Sequence, residues 1–362
     1  MALNIQVETD ALHTALDVIS KTAPPFEGEV TFRIKDNKVT VNSVSDLSRA
    51  TVVIPCTSKG EGEFAIPMES LRSASKGKKE LSLAYKDGTL NVKAAGGYTA
   101  DLATLDVVPP DEVPKEETQD WKLTADQATW LRKALKDVTL KPTSILSAWM
   151  PVGIRLSSSG AFVACYDAAH MSWVNDKTIK GEFECVMPLE TAKALVEVFH
   201  TGNFVIHLTK NSIRVRNKTV NVLLSLPNTE DLPTLEQVRA KIKEAMAVKA
   251  TTFKVGQKDM LAFIDNARAV MGKERAEILV TSAKGSKGDK LELLVKTGQG
   301  QVKTLVAGGT GGTKERSFTV DLDYIQELIS RASDEMMLNV VDGSFLSIAL
   351  AGSNAIVALN QQ

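Results

Sequence analysis

Metal and disulfide chemistry have little to work with in this chain. Its 362 residues hold three cysteines, Cys56, Cys165 and Cys185, none of them in Cys-x-x-Cys spacing. An odd and scattered set excludes a disulfide framework and a zinc site, and reads as buried thiols in a reducing cytosol. Histidine is nearly as scarce: His13, His170, His200 and His207 are all there are. None has serine and aspartate company at a catalytic spacing, and no His-x-x-x-His pair exists, so no catalytic constellation or metal motif is legible. No apolar run approaches the length that crosses a bilayer. The first ten residues carry neither a basic nor an apolar segment, which argues against a secretory leader. Formal net charge is −1, so no global field attracts nucleic acid and any such site has to be a local basic surface.

The remainder is ordinary for a soluble globular chain, 43% hydrophobic and 24% charged, with length for two or three domains. Against that background one pattern returns three times, at 64–74, 184–195 and 318–328. Each copy reads as a short extended segment, a one-residue break and a helix. Leu189, Ala192, Leu195, Val196 and Phe199 fall on one helical stripe, as do Leu322, Ile325, Leu328, Ile329 and Ala332. Each copy is followed by a predicted hairpin: 80–85 with 89–92, 203–208 with 212–215, and 337–341 with 345–350, around Asp-Gly or Lys-Asn turns. An ordered pattern repeated three times is the strongest signal in the chain.

Taken in order, a helix is expected over 10–20, with strands at 30–35, 38–43 and 48–55. The proline-rich, charged stretch 108–117 reads as a linker. A second round starts with a helix over 124–138, Ala128, Leu131, Leu135 and Val138 inward, and strands at 152–156, 161–166 and 172–175. Residues 235–248 read as a helix and second linker, with Glu236, Arg239, Lys243 and Glu244 solvated. The third round has a strand at 252–255, a helix over 257–271 and strands at 276–282, 290–297 and 301–306. Residues 308–312 read as a flexible glycine loop; they lack the Gly-Lys-Ser/Thr ending of a phosphate-binding loop. Asp321 and Asp323 sit where a helix starts, and capping is the expected role.

With these elements in hand, the chain resembles the bacterial-type DNA polymerase III beta subunit, the DNA sliding clamp, over its whole length. Ala100-Asp101-Leu102-Ala103-Thr104-Leu105 is similar to the end of that family's first domain. Ala164-Cys165-Tyr166-Asp167-Ala168-Ala169-His170-Met171 stands where the family has Ala-Thr-Asp-Gly-His-Arg-Leu. Leu232-Pro233-Thr234-Leu235-Glu236-Gln237-Val238 resembles its Phe-Pro-Asp-Tyr segment. The chain departs from the family at the altered Gly-His-Arg-Leu signature and at its last residues, Ala358-Leu359-Asn360-Gln361-Gln362, where Met-Pro-x-Arg-Leu is usual. A diverged, phage-encoded member fits these departures.

The resemblance implies an α+β fold of three tandem clamp domains: 1–118, 119–248 with a linker helix, and 249–362. Each would hold two helix-plus-strands units, helices on one side and antiparallel sheets outside. It implies a non-catalytic, cytoplasmic processivity factor with no cofactor, no metal and no membrane partner, working on double-stranded DNA without sequence preference. A domain of about 120 residues is roughly 35 Å wide, so three span an arc of roughly 105 Å, about half of what encloses a duplex. Closure then needs a two-fold homodimer. The implied DNA-facing residues are Lys21, Arg72, Lys76, Arg132, Lys133, Lys136, Lys141, Lys193, Arg268 and Arg331, with Asp10, Asp17, Glu197, Asp265 and Glu327 opposing them. The implied pocket for peptides of the polymerase and clamp loader is lined by Tyr166, Ala168, Ala169, His170, Met171, Pro233, Gln237, Val238, Ile356 and Ala358. Alternatives from other classes are a non-encircling scaffold that recruits DNA-metabolism proteins through that pocket, and a nucleotide- or DNA-processing enzyme. For single residues the plainer readings also stand: lysines as a solvated helix face, and Met171, Val238 and Ile356 as ordinary core.

Overall fold

Hairpin turns here are set by residues whose backbone preferences leave little choice. Asp36 and Asn37 both take positive φ, 51° and 54°, as do Asp87 and Gly88, 48° and 78°. Two successive left-handed residues give the turn whose twist matches antiparallel strands, and Asp, Asn and Gly are the residues that tolerate it. The computed structural model describes residues 3–25, 28–45, 48–105, 107, 119–139, 151–167, 170–200, 202–227, 232–272, 274–282, 290–310, 316–341, 345–350 and 352–359.

The elements run β1 (Leu3–Glu8), α1 (Thr9–Thr22), β2 (Glu29–Lys35), β3 (Lys38–Val44), β4 (Ser48–Pro55), β5 (Thr57–Lys59), β6 (Gly62–Pro67), α2 (Met68–Ser75), β7 (Glu80–Lys86), β8 (Thr89–Ala94) and β9 (Tyr98–Ala103). Next come β10 (Gln119–Leu123), α3 (Ala125–Val138), β11 (Pro151–Ser157), β12 (Gly160–Tyr166), β13 (His170–Asp176), β14 (Phe183–Pro188), α4 (Leu189–Val198), β15 (Phe204–Leu208), β16 (Ser212–Arg216) and β17 (Val220–Ser225). The last stretch holds α5 (Leu235–Ala247), β18 (Ala250–Gly256), α6 (Gln257–Met271), β19 (Glu277–Ser282), β20 (Lys290–Thr297), β21 (Gly300–Gly309), β22 (Ser317–Asp321), α7 (Leu322–Ser330), β23 (Glu335–Val341), β24 (Phe345–Ala349) and β25 (Asn354–Ala358).

The three repeats are β6–α2, β14–α4 and β22–α7, and in each the strand passes directly into the helix. All three strands lie at the end of a sheet. Pro67 and Pro188 close the first two, which suits an edge strand because proline offers no N–H to a ladder. The third copy uses Asp321, whose side chain accepts the Asp323 N–H at 2.9 Å, so the expected cap is in place.

The described residues gather into two compact units, one within Met1–Lys133 and Glu190–Asn228, the other within Ala134–Leu189 and Thr229–Gln362. The first holds a five-stranded sheet, β5-β1-β7-β8-β9, and an eight-stranded sheet, β10-β15-β16-β17-β4-β3-β2-β6. The second holds one twelve-stranded sheet, β14-β11-β12-β13-β25-β24-β23-β18-β21-β20-β19-β22. Residues 119–248 therefore contribute to both units. Strands β10 and β15–β17 continue the sheet of the first third through the β17–β4 pairing, Val222 opposite Ala50. Strands β11–β14 continue that of the last third through β13–β25, Met171 opposite Ile356. Each junction covers an edge that would otherwise present unpaired backbone.

Helices bury one stripe each. In the first unit α1 packs on β4 and buries Leu12, Ala15, Leu16 and Ile19. Phe64 stacks on Phe32 at 5.3 Å and on Tyr85 at 5.0 Å. In the second, Phe263 and Ile264 of α6 and Ile325 and Leu328 of α7 meet Leu291 and Leu338 of the sheet in one core. The fold class is thus the expected one, α+β with antiparallel sheets and, among the described residues, seven α-helices.

Four strands lay outside the sequence reading, β1, β5, β9 and β17, and one stretch reads differently. Gly308 and Gly309 do not begin a loop: they end β21 and pair with Val255 and Lys254 of β18. A Cβ on Gly308 would lie 2.2 Å from the Lys254 carbonyl oxygen, so glycine is there for close strand approach. The linker expected at 108–117 and the residues 311–312 lie outside the described residues.

Candidate nucleic-acid interface and peptide pocket

The basic residues expected to face DNA lie on or just past helices, and the structure sorts them by what they touch. Lys21, in the last turn of α1, pairs with Glu197 of α4 at 3.0 Å. Arg72 of α2 reaches Asp17 of α1 at 2.7 Å and the Ser20 hydroxyl at 3.1 Å. Arg132 of α3 donates to the Val196 carbonyl of α4 at 3.0 Å. Arg268 of α6 pairs with Asp323 of α7. Arg331, just past α7, pairs with Glu327 at 2.6 Å and donates to the carbonyls of Asp137 and Thr139 at 3.1 and 2.8 Å. Lys193 pairs with Glu190 one turn away at 2.7 Å.

Arginine and lysine therefore divide the work. The planar guanidinium satisfies carbonyl and carboxylate acceptors at helix ends, whereas the ammonium groups of Lys76, Lys133 and Lys136 sit on exposed residues. Exposed pairs such as Lys21–Glu197 are weak and exchange readily, so pairing of this kind does not keep a lysine from a phosphate. Lys141 lies outside the described residues.

The pocket residues come together around α5. Thr234 caps this helix: its hydroxyl accepts the Gln237 N–H while the Gln237 side chain accepts the Thr234 N–H. Tyr166, Val238 and Ile356 share one apolar cluster with Phe162, Trp173 and Leu235, and Met171 packs against it. The Tyr166 hydroxyl donates to the Pro233 carbonyl at 2.9 Å, and burial pushes its pKa up to about 12, so it stays a donor. Pro233 and Gln237 are exposed, while Met171 and Ala358 are half-buried. Ala168 and Ala169 lie outside the described residues.

His170 is placed differently from a surface contact. Its ring is 2% exposed and lies along Tyr324 of α7, centroids 5.9 Å apart. Neither ring nitrogen has a hydrogen-bond partner among the described residues. Burial, with Arg331 adding to it, lowers its pKa to about 3, so the ring is neutral at ordinary pH.

The linker helix is also more than a spacer. Leu235 and Val238 are fully covered, and Leu235 sits directly over Gly153 of β11. A Cβ at 153 would lie 2.2 Å from a Leu235 methyl. Gly153→Val is accordingly expected to lift the start of α5 and cost about 1–2 kcal/mol, seen as a lower urea midpoint. An unchanged midpoint would mean that α5 contributes nothing at this position. The solvated positions were legible in advance: Glu236, Arg239, Lys243 and Glu244 are all exposed. What sequence reasoning missed is that Phe162 and Trp173 lie beneath this helix; the alternation on β12 and β13 marks that face but not its cover.

The ordered sheets, paired helix–strand units and continuous pairing across the thirds define the sliding-clamp fold. The chain is similar along 99% of its length to the DNA polymerase III beta subunit of Thermotoga maritima, with 14% identity, a TM-score of 0.77 and all of that chain covered. The sliding clamp of Bartonella birtlesii bound to griselimycin gives 13% identity and a TM-score of 0.77 with both chains fully covered. That of Bacillus subtilis gives 12% and 0.72, again over the full length of both. No family profile matches the chain, and no curated protein matches it in sequence.

Proposed function

We propose that the chain is a DNA sliding clamp, a non-catalytic cytoplasmic homodimer of three-domain chains (1–118, 119–248 and 249–362) that encircles duplex DNA and holds a replicative polymerase on its template. The observation that carries this reading is the full-length likeness to solved clamps at TM-scores up to 0.77. Partners dock through peptides in the pocket of Tyr166, Met171, Pro233, Val238 and Ile356 beside α5. The loader that opens the ring uses the same kind of contact.

Two features support ring closure. The C-terminal ends of α1 and α4 are joined by Lys21–Glu197, and those of α7 and α3 by Arg331 on Asp137 and Thr139. Each contact joins the first helix of one third to the second helix of another. The same rule leaves the ends of α2 and α6 to meet between two chains, where Val270 of α6 stands exposed. Among the sheet edges without a neighbour in the described residues are β9, which pairs with β8 alone, and residues 300–307 of β21, which pair with β20 alone. Asp101 on β9 and Lys303 on β21 are exposed and opposite in sign, Lys303 also pairing with Glu292 of β20 at 2.9 Å.

Retention on DNA tests the reading. Loaded on a nicked circle, the protein should stay until the circle is cut, then run off the ends. Changing both Lys133 and Lys136 to glutamate should shorten retention and leave the dimer intact, because phosphate contacts position a ring without closing it. Equal retention on circular and linear DNA would favour a non-encircling scaffold.

A further inference from the structure

The other flank of α5 carries an open groove of about 600 Å3. Its floor is the edges of Phe162 and Trp173 with Ile242, and Met246, 53% exposed, stands at its end. Strand register lines up one lip: Asn175 lies opposite Phe162, and Asn354 opposite Trp173. The other lip is helical and basic, with Arg239 and Lys243 one turn apart. A smaller recess of about 230 Å3, where the start of β12 meets the end of β13, shares Asn175 and Arg239 with the groove and extends it as one trough.

Charge on the lips is unevenly compensated. Arg155 is held between Glu184 and Glu236, each at 3.5 Å. The recess carboxylate of Asp176 is taken up by the Thr178 N–H and hydroxyl at 2.7 and 2.6 Å. Arg239 lies over the Phe162 ring, 5.5 Å from its centroid, and has no acidic partner among the described residues; nor does Lys243. Two unneutralised cations thus border an apolar floor, facing two carboxamides able to pair with a peptide backbone.

We propose that this trough docks a short, extended, acidic segment of a partner protein, with one large apolar side chain over Trp173, Ile242 and Met246 and carboxylates on Arg239 and Lys243. Nucleic acid fits less well. Base stacking needs exposed aromatic faces, and Trp173 is 5% exposed. The trough shares no residue with the pocket assigned above and does not depend on ring closure.

The test is anisotropy of a fluorescein-labelled peptide, a leucine–phenylalanine pair flanked on each side by two aspartates, titrated with the full chain. A control peptide carries lysines for the aspartates. The acidic peptide should bind and the basic one should not. Arg239→Glu and Lys243→Glu should each weaken binding about tenfold. Both residues are exposed, so the unfolding midpoint should hold, and retention on circular DNA should be unchanged. Gln237→Ala, in the other pocket, should leave binding intact. Failure of the acidic peptide to bind, equal affinity for both peptides, or loss only in Gln237→Ala would overturn the proposal. So would self-association of the free chain that Arg239→Glu abolishes, which would put a second copy in the trough.

Discussion

Leu305→Asp is expected to separate the proposed dimer while leaving each chain folded. Leu305 is 56% exposed on β21, beside an edge that lacks a neighbour among the described residues. An exposed leucine on an open strand edge invites pairing, and natural sheets ordinarily guard such edges with charge or proline. Covering a leucine side chain is worth about 2 kcal/mol. A two-fold ring has two copies of the same interface. One substitution therefore acts twice, about 4 kcal/mol in all, or roughly a thousandfold in the dimer dissociation constant. In the proposed ring the aspartate also adds a negative charge opposite the edge that carries Asp101. Because Leu305 is exposed within the chain, its replacement should change unfolding by no more than about 0.5 kcal/mol. Sedimentation velocity over a concentration series gives the dissociation constant, and retention on a nicked circle should fall with it. An unchanged dimer would remove β21 from the interface and with it the edge-pairing argument.

How far the sequence was legible depended on whether neighbouring residues or distant ones decide a position. The helix over 257–271 and the strand over 48–55 were read at their observed bounds, because apolar spacing and flanking breakers are local signals. Strands β1, β9 and β17 were missed although Leu3, Ile5 and Val7, or Val220, Val222 and Leu224, alternate inward. β1 pairs with β5 and β7, far along the chain, whereas β9 and β17 follow the three-residue loops 95–97 and 217–219, which the sequence reading did not take for hairpin turns. Gly308 looked like loop because glycine density is the cue, and only the approach of β18 shows why the side chain is absent. For the site, residue type located the basic helix ends but not their occupation. Arg72, Arg268 and Arg331 are engaged by partners 55, 55 and 194 residues away, which no local pattern encodes. Tyr166, Val238 and Ile356 were placed together through the family resemblance, and the structure adds that α5 is what joins them.

Replacing His170 by leucine should alter how stability depends on pH. The native ring has its pKa lowered to about 3, whereas the unfolded side chain titrates near 6.5. Above pH 6.5 both states are neutral and this residue adds no slope. Below it the unfolded chain takes up a proton that the native one rejects, so stability falls as pH falls, by roughly 1.4 kcal/mol per unit until pH nears the native value. Between pH 6.5 and 4.5 the loss from this single group is about 2–3 kcal/mol. Other groups titrate in the same range, and subtracting the His170→Leu curve from the wild-type curve removes those that the substitution leaves alone. The leucine also eliminates two buried ring nitrogens without partners, each of which costs about 1–3 kcal/mol if unsolvated. Loss of the stack on Tyr324 acts in the opposite direction. At pH 7 the variant should therefore be no less stable than wild type, against the usual destabilising outcome of a core change. Equilibrium urea unfolding at half-unit steps from pH 4.5 to 7.5 measures both quantities. Parallel curves would mean that the native ring accepts its proton as readily as the unfolded one, and that the contact between β13 and α7 is more open than its 2% exposure indicates.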